Sequence, residues 1–153
     1  MSELSRADIE AILPHREPFI FVDRISEIEF GRRAVGWMDD VGRHELILSG
    51  HFPNFPVLPG AILVEALAEV GAVAALGVEG YRGKIGVLAG LDGWKFRRMV
   101  RPGDQVRLEA ELHHLRGKYG KGHLRATVDG ELAAEGEMSF GVVDRPAAPP
   151  AQA

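Results

Sequence analysis

The stretch His51–Leu76, HFPNFPVLPGAILVEALAEVGAVAAL, decides the fold of this 153-residue chain. Its first part contains three prolines and one histidine, and it predicts a stiff loop because proline fixes φ. Its second part, from Gly60 onward, is an apolar helix candidate that carries two carboxylates, Glu65 and Glu69. A helix that is apolar on almost every side must be covered all round. We therefore expect one long central helix wrapped by a curved sheet.

The sequence on either side of this stretch predicts an antiparallel sheet. Several segments are rich in β-branched and aromatic residues, or alternate apolar with polar residues, and glycine-containing turns bound them. They predict five to seven strands within the ranges 19–28, 33–39, 86–92, 95–100, 105–115, 123–128 and 131–143. The predicted fold class is therefore α+β. A single sheet of this size leaves a long edge, which favours pairing with another chain.

The remaining segments give the domain organisation. Residues 5–13 begin with the spacing of a capping box and are predicted as a short helix. Residues 40–59 have little periodicity and are predicted as a long irregular loop, which in a compact domain is usually functional. We predict a single domain over residues 1–143. The Pro/Ala-rich segment 144–153 is predicted to be a disordered tail.

Composition excludes several functional classes. The formal net charge is −4, which argues against broad binding to nucleic acid or to anionic membranes. The chain has no cysteine, so disulfides, thiol nucleophiles and cysteine-based metal sites are excluded. The start of the chain has no secretory signal pattern. The longest apolar run, 61–76, is shorter than the roughly 20 residues of a membrane span. We expect a cytoplasmic protein.

The loop and helix contain candidate catalytic groups, each with an ordinary alternative. His51 lies in the stiffened loop as a possible base, or it satisfies backbone groups there. Burial of Glu65 in an apolar helix would raise its pKa, as a general acid needs, but Glu65 and Glu69 also fit a solvent-facing stripe. The amide of Gly60 at the helix start would stabilise an oxyanion, although Pro-Gly is also common helix punctuation.

A basic cluster stands out in this net-acidic chain. It would suit an acidic partner or a phosphate, and a solvated strand edge protected by its charge is an equally good interpretation. The cluster consists of Lys95, Arg97, Arg98 and Arg101. No metal site is predicted, because His113 and His114 are adjacent on a strand and point to opposite faces, and the chain has no HExxH motif.

Six motifs of this chain belong together: GHFPNFPVLPGAILVEALAE at 50–69, LPHREPF at 13–19, VDR at 22–24, AGLD at 89–92, KFRR at 95–98 and PGD at 102–104. Together they resemble one enzyme family, the (3R)-3-hydroxyacyl-[acyl-carrier-protein] dehydratases of bacterial type II fatty acid synthesis, of the FabZ type. The resemblance extends over residues 9–142, with its motifs in the same order. The resemblance implies a hot dog fold. It also implies an obligate homodimer, often assembled into a trimer of dimers.

The resemblance also implies the catalytic residues. The family uses a histidine and a glutamate fourteen residues apart, and 65 − 51 = 14 here. His51 matches the catalytic histidine and Glu65 the catalytic glutamate, which in the family come from opposite subunits. Gly60 matches the glycine whose amide binds the thioester oxygen. A related dehydratase/isomerase branch has aspartate in place of the glutamate, so Glu65 favours a plain dehydratase.

The implied reaction converts a 3-hydroxyacyl thioester to a trans-2-enoyl thioester. It needs no metal or redox cofactor. The substrate itself carries the 4′-phosphopantetheine of acyl carrier protein. That acidic carrier would dock on the basic cluster near Arg97 and Arg98. The residues expected to bind the substrate or its oxyanion are Phe52, Pro59, Gly60, Ala61, Glu69 and Leu88.

Three positions depart from the family pattern. Asn54 stands where the family usually has glycine, Glu69 where it has glutamine, and Leu88 where it has an aromatic residue. A second carboxylate one turn from Glu65 would couple to it and disfavour double ionisation. Two alternatives to this function remain open. One is a hot dog thioesterase or a coenzyme A-dependent enoyl hydratase, and the other is a catalytically silent subunit that binds an acyl carrier.

Overall fold

The structure, a computed structural model, describes residues 3–146 and has an α+β fold. Six antiparallel strands form one open sheet in the order β1-β2-β4-β5-β6-β3. The helices are α1 (Arg6–Ile12), a 3-10 turn (Val41–Arg43), α2 (Glu45–Gly50) and α3 (Gly60–Leu76). The strands are β1 (Arg24–Glu29), β2 (Arg33–Met38), β3 (Lys84–Phe96), β4 (Val106–Arg116), β5 (Tyr119–Val128) and β6 (Glu131–Asp144).

Helix α3 is the centre of the core, as the sequence predicts. Eleven of its residues are buried, on most sides of the helix, so the sheet and the N-terminal segment must enclose it. Its alanines and glycine keep the surface narrow, and strands approach closely. At Gly36 in β2, an added Cβ would lie 2.8 Å from the side chain of Val70. The packed helix fixes the position of every carboxylate that it carries.

The N-terminal segment confirms one local prediction and corrects another. Ser5 and Asp8 form the predicted capping box of α1. The strand predicted over 19–28 begins only at Arg24, and the prediction was wrong for the residues before it. The physical reason lies far along the chain, because the backbone amides of Phe21 and Val22 donate to the side chain of Glu69 instead of to a neighbouring strand.

Three other element boundaries differ from the predictions. The segment 40–59 is not wholly irregular: Asp40 caps the 3-10 turn by accepting a hydrogen bond from the Gly42 amide, and α2 follows. The sequence pattern does not predict α2, because this helix has six residues and buries only Leu48. The strands predicted at 86–92 and 95–100 are one strand, β3, interrupted by two register shifts. Strand β5 begins at Tyr119 instead of 123.

Strand β3 forms one edge of the sheet. Strand β3 pairs with β6 on one side only and exposes large apolar side chains, among them Leu88 and Phe96. Strand β6 ends at Asp144, the first residue of the predicted tail. The remainder of that prediction, 147–153, lies outside the described residues. None of the helices within 3–146 is long and apolar enough to cross a membrane.

Candidate active site

Glu65 projects from the second turn of α3 towards His15, a histidine to which the sequence patterns assign no role. His15 Nε2 lies 3.5 Å from Glu65 Oε1, and about a third of the Glu65 side chain is exposed at 31%. Donation of a hydrogen bond to the Glu65 carboxylate raises the pKa of His15, and burial partly opposes that rise. His15 belongs to the LPHREPF motif at 13–19, which was the only signal that could have identified it.

Glu69 lies one turn further along α3 and is buried. Its relative exposure is 1%, so the alternative that it sits on a solvent-facing stripe is wrong. Its Oε1 accepts hydrogen bonds from the amides of Phe21 at 2.8 Å and Val22 at 3.2 Å. Its Oε2 has no partner among the residues described. Burial raises the pKa of Glu69 to about 8, against the opposing effect of these hydrogen bonds.

His15, Glu65 and Glu69 form a compact group, because one nitrogen or oxygen atom from each lies within 4.8 Å of the others. Within residues 3–146 no other set of histidines and acids is compact enough to hold a metal ion. A metal ligand must be deprotonated, and the raised pKa of Glu69 opposes that state. Binding of a metal by this group would therefore have to displace a proton from Glu69.

A cavity of about 280 Å³ opens beside this group. Its walls are mostly apolar, with His15 and Glu65 at the polar end. Leu88 is part of the wall, as expected of a residue that lines an acyl tunnel. The full lining is His15, Glu65, Ala68, Gly71, Ala72, Ala75, Leu76, Gly86, Val87, Leu88, Leu112, Leu124, Met138 and Phe140. Such a cavity can hold an acyl chain with its reactive end at the carboxyl group.

His51 lies elsewhere, directly after α2. Its Nδ1 is 2.9 Å from the carbonyl oxygen of Val57. A carbonyl only accepts, so Nδ1 carries the proton, and Nε2 of the neutral ring is free to act as a base. The ring stacks on Phe52 with 4.3 Å between centroids. No hydrogen bond or ion pair in the described chain joins His51 to Glu65, and His51 does not line their cavity.

Gly60 begins α3, with Pro59 as its N-cap residue. The backbone amides of Gly60 and Ala61 donate to no backbone carbonyl within 3–146, as is usual for the first turn of a helix. Gly60 is exposed, and a Cβ there would lie 3.1 Å from the ring of Phe96. A second cavity, of about 450 Å³, runs past Gly60 and is lined by Phe96, Arg97 and Arg98 among others. Because Gly60 is exposed at the wall of this cavity, a ligand can approach the start of α3.

The predicted basic cluster divides into two kinds of residue. Arg98 is paired with Asp104 at 3.1 Å and with Glu131 at 2.9 Å, so its charge is largely compensated. The Arg101 guanidinium lies 5.2 Å from the ring centroid of Phe55. Lys95 and Arg97 are exposed and form no ion pair with another described residue. These two remain the cations most available to an acidic partner.

An antiparallel sheet around one long helix, with a histidine and a glutamate at the mouth of an apolar cavity, defines a hot dog fold protein. Two solved structures share the fold. The dehydratase heterocomplex ApeI:P from Xenorhabdus doucetiae matches with a TM-score of 0.70 and 14% identity, covering 87% of this chain and 89% of that one. The E. coli PaaI protein from the phenylacetic acid degradation operon matches with a TM-score of 0.59 and 18% identity, covering 76% and 80%.

Sequence comparison narrows the class. A family model described as a FabA-like domain matches residues 13–137. A protein of Bacillus cereus (strain AH820) named 3-hydroxyacyl-[acyl-carrier-protein] dehydratase FabZ is 51% identical, and the match covers 90% of this chain and 94% of the relative. The protein of the same name from Thermomicrobium roseum is 55% identical, and the match covers 92% of this chain and 93% of the relative. The chain therefore belongs to the FabA-like family, on the branch of these FabZ proteins, and the resemblance read from the motifs is confirmed.

Proposed function

We propose that this chain is a dehydratase that converts (3R)-3-hydroxyacyl-acyl-carrier-protein thioesters to trans-2-enoyl thioesters in fatty acid biosynthesis. The activity is that named for relatives at 51% and 55% identity. The observation that carries the proposal is the position of Glu65, a carboxyl group at the polar end of an otherwise apolar cavity. The apolar part of this cavity suits a fatty acyl chain. The C3 hydroxyl of that chain would lie at the polar end, where it needs a proton donor.

The proposed chemistry uses three groups of this fold. Nε2 of His51 removes a proton from C2, while the Gly60 amide and the start of α3 stabilise the negative charge that develops on the thioester oxygen. Protonated Glu65 donates its proton to the C3 hydroxyl. The C2–H and C3–O bonds break, the C2=C3 bond forms, and water leaves. No metal or redox cofactor is required by these steps, since only protons and water are exchanged.

We further propose that each active site is shared between two subunits of a homodimer, with His51 of one chain meeting Glu65 of the other. Within the chain these residues are not in contact, and the exposed apolar edge at β3 offers a surface for pairing. Covering such an edge removes an aggregation hazard and completes a sheet. Three such dimers could then assemble into a hexamer.

The substrate's carrier is proposed to be acyl carrier protein, an acidic partner. Lys95 and Arg97 supply uncompensated positive charge beside the cavity that passes Gly60, whereas Arg98 and Arg101 are already engaged. Long-range attraction between such surfaces steers association and weakens with salt. The phosphopantetheine arm would then run past Gly60 of one chain towards Glu65 of the other. We place this reaction in the cytoplasm.

A turnover assay tests the function. The purified protein should hydrate crotonyl-acyl-carrier-protein, measured as loss of enoyl absorbance, without release of free thiol. Thiol release would instead indicate a thioesterase, and a preference for the coenzyme A thioester would indicate a hydratase of that class. Carrier binding with no turnover at any acyl chain length would show a silent subunit and refute the proposal.

A further inference from the structure

Glu69 is a buried acid that the proposed chemistry does not use. Both amide donors near it, from Phe21 and Val22, point at the same oxygen, Oε1. An oxygen that accepts two N–H groups is not the one that carries a proton. When Glu69 is protonated, the proton therefore lies on Oε2, the buried oxygen without a partner among the described residues.

The surroundings of Glu69 favour a neutral side chain. At 1% exposure, a carboxylate loses most of its hydration, and two amide hydrogen bonds compensate only part of that loss. Glu65, within 4.8 Å, adds the repulsion of a second acid, whereas His15 adds attraction when it is protonated. The pKa of Glu69 is accordingly raised to about 8. These two side chains are the titratable groups that face Glu69, since the segment at Phe21 and Val22 presents only backbone amides.

We propose that Glu69 is a positioning residue that acts through Glu65: at neutral pH it places no negative charge beside Glu65, and its ionisation sets the alkaline limit of the reaction. This role in the reaction rests on the function proposed above. When Glu69 ionises, a buried negative charge lies beside the acid that must give up a proton. The same charge opposes the negative charge that develops on the substrate. Both effects slow the reaction.

A proton count tests the charge state without any assay of activity. Glu69→Gln keeps the shape and an oxygen acceptor for the two amides, but it cannot ionise. Potentiometric titration of the folded proteins should show that the wild type releases one proton more than Glu69→Gln, with a midpoint at about pH 8. The matched control is Glu79→Gln, at an exposed acid, which should leave the proton release around pH 8 unchanged.

The pH profile tests the role in the reaction. For hydration of a crotonyl thioester, kcat/KM of the wild type should fall through about pH 8. The fall for Glu69→Gln should lie at least about one pH unit higher, an electrostatic shift that a merely structural residue would not produce. Glu79→Gln should follow the wild-type profile.

The outcomes separate the two proposals. Coincident titration curves for wild type and Glu69→Gln overturn the neutral charge state. An extra proton together with coincident pH profiles overturns the role in the reaction. Absence of turnover in the wild type at every pH, with the extra proton present, refutes the proposed function while the charge state stands. Carbon-13 titration of glutamate carboxyl groups in the wild type gives the same proton count without any variant, so a poorly folding Glu69→Gln does not remove the test.

Discussion

The two halves of the proposed active site differ in how far one chain completes them. The acid half, at Glu65 and Glu69, has a histidine partner, backbone hydrogen bonds and a cavity, all from the same chain. The base half, at His51 and Gly60, is organised locally but lies against exposed aromatic rings such as Phe52 and Phe96. The fold of a single chain thus supplies all the contacts described for the acid half. In the proposed dimer, the base half is a surface to which another chain supplies the acid.

Mixing two inactive variants is the most decisive test of whether the two halves of one site come from different chains. His51→Ala and Glu65→Gln should each lower kcat/KM by about 10³-fold, since general acid–base groups contribute on that scale. When the two variants are unfolded and refolded together, half of the dimers contain one of each chain. Each mixed dimer has one intact site, so about a quarter of wild-type activity should return.

The control for that experiment is each variant refolded alone, which should stay inactive. If the mixture also stays inactive while mixed dimers are present, His51 and Glu65 serve one site within a single chain. That result would remove the distinction between the two halves.

Stability gives a second test, directed at the acid half. The pKa of Glu69 is about 8 in the folded protein, against an ordinary value of 4.5 for this side chain, so the folded state binds the proton more tightly than the unfolded chain does. The stabilisation from this proton is fully present below about pH 4.5 and is lost as the pH rises to about 8. At pH 8, Glu69→Gln should therefore unfold with a free energy about 4 kcal/mol higher than the wild type.

Urea denaturation at pH 5 and at pH 8, at one fixed protein concentration, measures this difference. The gap between the two proteins should be small at the lower pH and large at the higher pH. An equal gap at both values would mean that the substitution acts by packing and that Glu69 does not titrate in this range.

The comparison also explains how much the sequence could predict. The apolar run of α3 predicts the central helix, and the capping box of Ser5 and Asp8 predicts α1, because these signals act over a few residues. The assignment of His51 and Glu65 as catalytic residues rests on the motif spacing and stays a prediction. The burial of Glu69 does not, since its hydrogen-bond partners Phe21 and Val22 are 48 and 47 residues away in sequence. The same long-range contacts account for the mistaken start of β1.

The position of His15 beside Glu65 could not be predicted for the same reason. Only the fold brings the loop at 13–19 against the second turn of α3. Local propensity fails in a different way at α2, where a six-residue helix buries a single side chain. The sequence therefore predicts well those features that depend on residues close together in the chain. The contacts that surround the acid half are decided by the packed fold.

Gly60 tests the base half. A Cβ at this position would lie 3.1 Å from the ring of Phe96, whose exposed ring has room to move, so the fold should tolerate Gly60→Ala. The methyl group would stand where the thioester must approach the free amides of the helix start. We expect kcat/KM to fall about tenfold or more, as for loss of an oxyanion contact, with a nearly unchanged melting temperature. Gly50→Ala, where an added Cβ meets nothing within 4 Å, is the matched control.

The smallest expected effect concerns the carrier surface next to the base half. Arg97 is exposed without an ion pair to another described residue, whereas Arg98 is held by Asp104 and Glu131. Arg97→Gln should raise KM for an acyl-carrier-protein substrate by about fivefold, and the increase should shrink in high salt, as for a charge at the rim of an interface. The same variant should leave KM for the matching pantetheine thioester unchanged, because that substrate has no acidic protein to attract. Arg98→Gln should change carrier KM less and lower stability more. Equal effects of the two variants on carrier KM would show that compensated and free cations dock the partner alike.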